Sequence, residues 1–219
     1  MSERLPITGY RGEPVPNRFL RQEGETDHLA VLLPGMGYTC DMPLFHYAEN
    51  LLAEGGADLL RVVYAYGGRT DFRDLSDAER EQWLFADTAA GYRAGLSRRD
   101  YAQLTLVGKS LGTLAMGHLL AGEDGPAGGV RAVWLTPLVR QERLREQVRR
   151  FAGRSLSAIG TADPHYETDS LDAWRDATRG EVVVVEGADH GLDVPGDVVA
   201  SVEAVGKVVR TLRGFLSSP

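Results

Sequence analysis

Two short stretches hold residue types that could do chemistry together. Gly108-Lys109-Ser110-Leu111-Gly112 closes the apolar run LTLVG (104–108) and opens a helical stretch, with glycines two before and two after the serine. A serine in so tight a strand-to-helix turn has its hydroxyl held out, while the glycines let strand and helix approach closely. That hydroxyl is a weak nucleophile until a neighbouring imidazole takes its proton. Of the five histidines, His190 alone sits in a Gly-flanked loop, Glu186-Gly187-Ala188-Asp189-His190-Gly191, just past a four-valine run. Ser110 is thus read as nucleophile and His190 as its general base. An imidazole in this role needs a carboxylate on its other nitrogen to fix the tautomer and stabilise the imidazolium. Asp163, in Gly160-Thr161-Ala162-Asp163-Pro164, is the choice, lying between serine and histidine in chain order. Asp163 as a plain turn or cap residue before Pro164 is the alternative, with Asp169, Asp172 and Asp193 as fallback carboxylates.

A tetrahedral intermediate also needs N–H donors where its oxygen becomes negative. The backbone of Leu111, at the start of the helix after Ser110, is one candidate. Met36 is the other, because the glycines of Leu33-Pro34-Gly35-Met36-Gly37-Tyr38 permit the backbone twist that turns its N–H inward; an ordinary Gly-Pro turn is the competing reading. Gly108-Lys109-Ser110 could be mistaken for the end of a phosphate-binding loop. That loop requires a glycine five positions before Gly108, and Gln103 stands there. His28, His46, His118 and His165 show no close helical pairing of the metalloprotease kind, so no metal site is expected.

These residues need a frame, and the sequence supplies alternating strands and helices. Short apolar runs at 29–33, 59–66, 104–108, 132–135, 156–160 and 181–185 read as strands buried on both faces. Between them lie helical stretches at about 43–54, 110–121, 139–152, 170–178 and 195–216, and one running from the capping box Ser76-Asp77-Ala78-Glu79 toward Gly95. The basic stretch 140–150 alternates with Glu142, Glu146, Leu144 and Val148, as the solvated face of an amphipathic helix does. Gly9 and Gly12 mark a turn between two short N-terminal strands, and the Gly-rich stretch 122–129 reads as a loop. Such alternation predicts an α/β protein with a doubly wound, mainly parallel sheet flanked by helices. Ligand sites in these sheets lie beyond the carboxyl ends of the strands, where residues 35–37, Ser110, Asp163 and His190 all fall.

The totals narrow the classes. At 219 residues the chain, 1–219, is expected to be one domain. A net charge of −7 without a basic stripe argues against a nucleic-acid partner, and no apolar run approaches the roughly 18 residues of a membrane span. Cys40, the one cysteine, excludes an internal disulfide; with no readable secretory signal, a cytoplasmic location is the default expectation.

With the ordered set of residues 35–37, the serine pentapeptide, Asp163 and His190 in place, the chain resembles the α/β-hydrolase superfamily from about residue 28 to its end. The resemblance implies acyl transfer to water, with Ser110 attacking an ester or thioester of a small-molecule acyl substrate and no cofactor. Pro34 stands where many relatives have histidine, a change that leaves backbone donors available. The connection from 135 to 156 has room for one helix and not for a cap domain, so the site is expected to be open. Tyr38, Arg69, Phe72 and Arg140 follow strand ends and are candidate substrate contacts, the two arginines for an anionic group. A non-catalytic binding protein on the same fold is the alternative function.

Overall fold

The computed structural model describes residues 2–122 and 129–218; the remainder of the loop expected at 122–129 lies outside them. In the described residues eight strands form one sheet: β1 (Ser2–Glu3), β2 (Asn17–Leu20), β3 (His28–Leu33), β4 (Asp58–Val62), β5 (Gln103–Lys109), β6 (Val130–Leu135), β7 (Arg154–Gly160) and β8 (Glu181–Val185), in the order β1-β2-β4-β3-β5-β6-β7-β8. From β4 to β8 neighbours pair in parallel, while β2 runs antiparallel to β4 and β1 antiparallel to β2. The six strands expected from the sequence are the six parallel ones.

The period of two within each run explains the two layers. Leu29, Val31 and Leu33 of β3 join a core with Trp83, Met116, Leu144 and Trp174, whereas Ala30 and Leu32 join a second core with Phe45, Leu52, Val208 and Phe215. The first layer is thus covered by α3 (Asp77–Leu96), α4 (Leu111–Ala121), α5 (Glu142–Arg149) and α6 (Thr168–Thr178), the second by α1 (Pro43–Glu54) and α7 (Val198–Ser217). A four-residue α2 (Thr70–Arg73) precedes α3. The sheet is doubly wound, and the β6–β7 connection holds only α5, so there is no large cap among the described residues.

Several boundaries differ from the sequence reading, each for a local reason. The strand expected at 59–66 ends at Val62: the amide of Val63 still donates to the carbonyl of Pro16, but Pro16 has no N–H to return the bond, and the pairing with β3 has already stopped at Arg61. Tyr64 and Tyr66 instead stack together, and Tyr66 stacks on Phe72. The helix expected from 139 starts at Glu142, since Thr136 has φ 42° and the amide of Val139 bonds back to Pro137. The helix expected from 195 starts after Asp197, whose carboxylate accepts from the N–H of Ala200 at 2.9 Å. The Ser76/Glu79 capping box forms in both directions, and Leu144 and Val148 bury the apolar side of α5. Gly9 precedes and Gly12 ends a 3-10 turn, Tyr10–Gly12, between β1 and β2.

Candidate active site

Ser110 sits between β5 and α4 with φ 51° and ψ −116°, a region that side chains other than glycine rarely occupy. Neighbouring backbone over-determines it. The Ser110 amide donates to the Leu135 carbonyl at 3.1 Å, and the Ser110 carbonyl accepts from the amide and hydroxyl of Thr113 at 2.8 and 2.6 Å. The flanking glycines are there for space. A Cβ on Gly112 would run into the carbonyls of Leu33 and Pro34, and one on Gly108 would lie 2.8 Å from the Gly112 carbonyl.

Eighty residues later, the His190 loop returns to this turn. Thr161 Oγ1 accepts from the Gly187 amide at 2.8 Å, and Asp189 Oδ1 accepts from the amides of Gly191 and Asp193 at 2.7 and 3.1 Å. These bonds hold the imidazole with Nε2 2.8 Å from Ser110 Oγ and Nδ1 2.7 Å from Asp163 Oδ2. The pattern fits one tautomer, with Nδ1–H donating to the carboxylate and Nε2 accepting from the serine hydroxyl. Asp163 has no solvent-exposed side-chain surface, and its Oδ1 accepts from the His165 amide at 2.8 Å; the His190 side chain keeps 32% exposure. The three side chains chosen from sequence thus form one continuous hydrogen-bonded chain. Asp169, Asp172 and Asp193 are not in that chain; Asp172 pairs with Arg175.

Gly35 packs against the serine turn, where a Cβ would lie 3.3 Å from Ser110 Cβ, so the 34–37 loop borders the hydroxyl. Gly37, with φ 140°, supplies the twist that the loop needs. Among the described residues neither the Met36 nor the Leu111 amide is paired with a backbone acceptor. A cleft of about 1270 Å3 shares residues 34–37 as a wall and runs past Cys40 and Val63 to the N-terminal segment; Ser110 itself is not part of its lining.

The four candidate substrate contacts separate into two pairs. Tyr38 lies half-buried beside the serine turn, its ring 4.4 Å from Lys109 Nζ, and burial pushes its hydroxyl up to about 12. Arg140 is exposed and reaches the carbonyl of Pro164, next to Asp163, at 3.4 Å. Phe72, by contrast, is a core side chain, 5% exposed and stacked on Tyr66. Arg69 is held by Asp71 at 2.7 Å and Glu13 at 3.5 Å over the ring of Trp83. Strand-end position alone could not separate these pairs, because the arginine's acids and the ring's stacking partners come from other parts of the chain.

Two neighbours escaped the sequence reading. His165, two residues past Asp163, has its ring centroid 5.3 Å from that of His190, and burial together with the nearby His190 and Arg140 lowers its pKa against the pull of Asp163. Asp163, His165 and His190 bring ligand-type atoms within 4.8 Å of one another. Both His190 nitrogens and both Asp163 oxygens are, however, already engaged with Ser110, each other and the His165 amide, a set suited to moving a proton rather than to holding an ion. Lys109, the second neighbour, is a charged side chain with no exposed surface at the end of β5.

Neither a protein-family model nor a curated protein sequence matches this chain. Solved structures do. The chain is similar to a putative α/β hydrolase from Agrobacterium tumefaciens, at TM-score 0.72 and 16% identity over 98% of this chain and 96% of that one. It is also similar to Est1E from Butyrivibrio proteoclasticus, solved with ferulic acid bound, at TM-score 0.71 and 13% identity over 96% and 97% of the two chains. An esterase from Pyrococcus furiosus matches at TM-score 0.71 and 13% identity over 99% and 93%. The architecture is the α/β-hydrolase fold, and these structural neighbours of similar length are covered almost end to end, which leaves no place for a large cap.

Proposed function

We propose that this chain of α/β-hydrolase fold is a serine hydrolase that cleaves small esters or thioesters through an acyl-enzyme on Ser110. The observation that carries this reading is the unbroken chain from Ser110 Oγ through His190 to Asp163, with links of 2.8 and 2.7 Å, at the carboxyl edge of the sheet. The esterases among the structural neighbours support the same class of reaction.

In this reading Ser110 Oγ attacks the substrate carbonyl while its proton passes to His190 Nε2. The imidazolium that forms is stabilised by the Asp163 carboxylate on Nδ1. Negative charge on the carbonyl oxygen is met by the amides of Met36 and Leu111, each such donor worth about 3 to 4 kcal/mol in comparable sites. His190 then protonates the departing alcohol or thiol, leaving the acyl group on Ser110. Water repeats the sequence: His190 takes its proton, hydroxide adds to the acyl carbon, and the proton returns to Ser110 Oγ as the acid leaves. The partly exposed imidazole suits a small acyl substrate that enters directly from solvent.

Hydrolysis of p-nitrophenyl acetate and of a short acyl thioester, compared between wild type and Ser110→Ala, tests the proposal. Turnover of either substrate by wild type, abolished in a folded variant, is expected. A folded wild type that turns over no activated ester or thioester would overturn it and favour a binding protein.

A further inference from the structure

The least expected side chain near the site is Lys109, the residue before Ser110. An ammonium buried at the end of an apolar strand is costly unless its donors are met. Here they are. Nζ donates to Thr136 Oγ1 at 2.7 Å and to the His190 carbonyl at 2.6 Å, and it stands 4.4 Å from the centroid of the Tyr38 ring, which supplies a π face. These partners come from three segments, the end of β6, the His190 loop and the stretch following residues 34–37, and Lys109 ties them to the serine turn that carries it. Thr136 adds an independent sign of design. It is β-branched yet has φ 42°, a strained conformation that persists only where surroundings enforce it, and its amide is locked to the Ala158 carbonyl at 2.7 Å.

We propose that Lys109 is a positioning residue: by gripping the main-chain carbonyl of His190 it sets the imidazole at hydrogen-bonding distance from Ser110 and joins the serine turn, the His190 loop and Tyr38 into one frame. This rests on the serine-hydrolase reading above for its consequence in catalysis, though not for its geometry. The groups facing the ammonium are the Tyr38 ring, the Thr136 hydroxyl, the His190 loop with Asp189 and Asp193, and Asp163 across from it. Burial lowers Lys109 to about 8 even against the pull of those three carboxylates, so the charge that strengthens the grip is shed in mildly alkaline solution.

The test uses Lys109→Met, which keeps an unbranched apolar stem one atom shorter and loses both hydrogen bonds, and Thr136→Val, which keeps Lys109 and removes one acceptor. A displacement of the base by about 1 Å costs on the order of 100-fold. With p-nitrophenyl acetate, kcat is expected to fall about 100-fold in Lys109→Met and about threefold or more in Thr136→Val, with KM nearly unchanged in both. Wild-type kcat should decline above pH about 8, and Lys109→Met should lack that decline. Equal kcat in Lys109→Met, or an alkaline decline that survives in it, overturns the proposal; if that variant fails to fold, unchanged kcat in folded Thr136→Val does so. A readout independent of turnover is the downfield proton resonance of His190 Nδ1–H. It should be present in wild type and lost to exchange in Lys109→Met or, where that variant does not fold, weakened in Thr136→Val. An unaltered resonance refutes the positioning role even if wild type proves to hydrolyse nothing.

Discussion

Replacing Asp163 by asparagine changes no shape and asks what the carboxylate does. In the native site Oδ1 accepts from the His165 amide at 2.8 Å and Oδ2 from His190 Nδ1 at 2.7 Å. An asparagine has only one oxygen to offer these two donors. If that oxygen stays with the fixed His165 amide, the NH2 faces Nδ1, and the imidazole must carry its proton on Nε2, pointing at the serine hydroxyl it should deprotonate. If the amide flips to restore the tautomer, the His165 N–H meets an NH2, at a cost of about 1 to 3 kcal/mol for an unmet buried donor. The flipped form has also lost the negative charge that a hydrogen bond to an ion contributes, about 1.5 to 3 kcal/mol. Together these come to about 4 kcal/mol, or about 1000-fold in kcat. The assay is p-nitrophenyl acetate hydrolysis at pH 7.5, beside circular dichroism and thermal melting to show that the fold is kept. A folded Asp163→Asn enzyme within tenfold of wild type would refute the role of Asp163 and the reasoning from its two fixed partners.

Other consequences are as direct. Both Ser110→Ala and Ser110→Gly remove the hydroxyl, but only glycine is at ease at φ 51°, so Ser110→Gly should be the more stable by about 1 kcal/mol and melt about 2 to 4 °C higher; an equal or lower melting temperature contradicts the strain. Gly112→Ala drives a methyl into the carbonyls of Leu33 and Pro34, and its urea midpoint should reveal a loss of about 3 kcal/mol or more. Arg140, whose nearest partner is a carbonyl at 3.4 Å beside Asp163, is free to meet a substrate anion. Arg140→Ala should therefore lower kcat/KM for a p-nitrophenyl hemisuccinate about tenfold relative to the acetate, whereas Arg69→Ala, already neutralised by Asp71 and Glu13, should leave that ratio unchanged.

What could be read beforehand was what local pattern controls. The parallel strands show as apolar runs because both faces are buried, and residues such as Leu29 and Ala30 then part onto opposite layers. Ser110, His190 and Asp163 were legible because each follows a strand, and a sheet of this kind brings such loops to one edge. What stayed hidden depends on partners distant in sequence. Val62 ends β4 because Pro16, opposite the next residue, has no N–H to return the ladder bond, and Phe72 is a core ring because Tyr66 and Trp83 enclose it. Lys109 entered the sequence reading only as a variable position of the serine pentapeptide. Its role depends on Thr136 and the His190 carbonyl, and no spacing announces either. His165 passed for an isolated histidine, since only the turn at Pro164 brings it against His190.

The central claim is that Ser110 is activated by His190. The most direct test is labelling of wild type, Ser110→Ala and His190→Ala with a fluorophosphonate probe, read by intact mass. One adduct per wild-type chain, none on Ser110→Ala and a much slower one on His190→Ala is the predicted outcome. A folded wild type that stays unmodified, or an adduct that persists in Ser110→Ala, would contradict the claim.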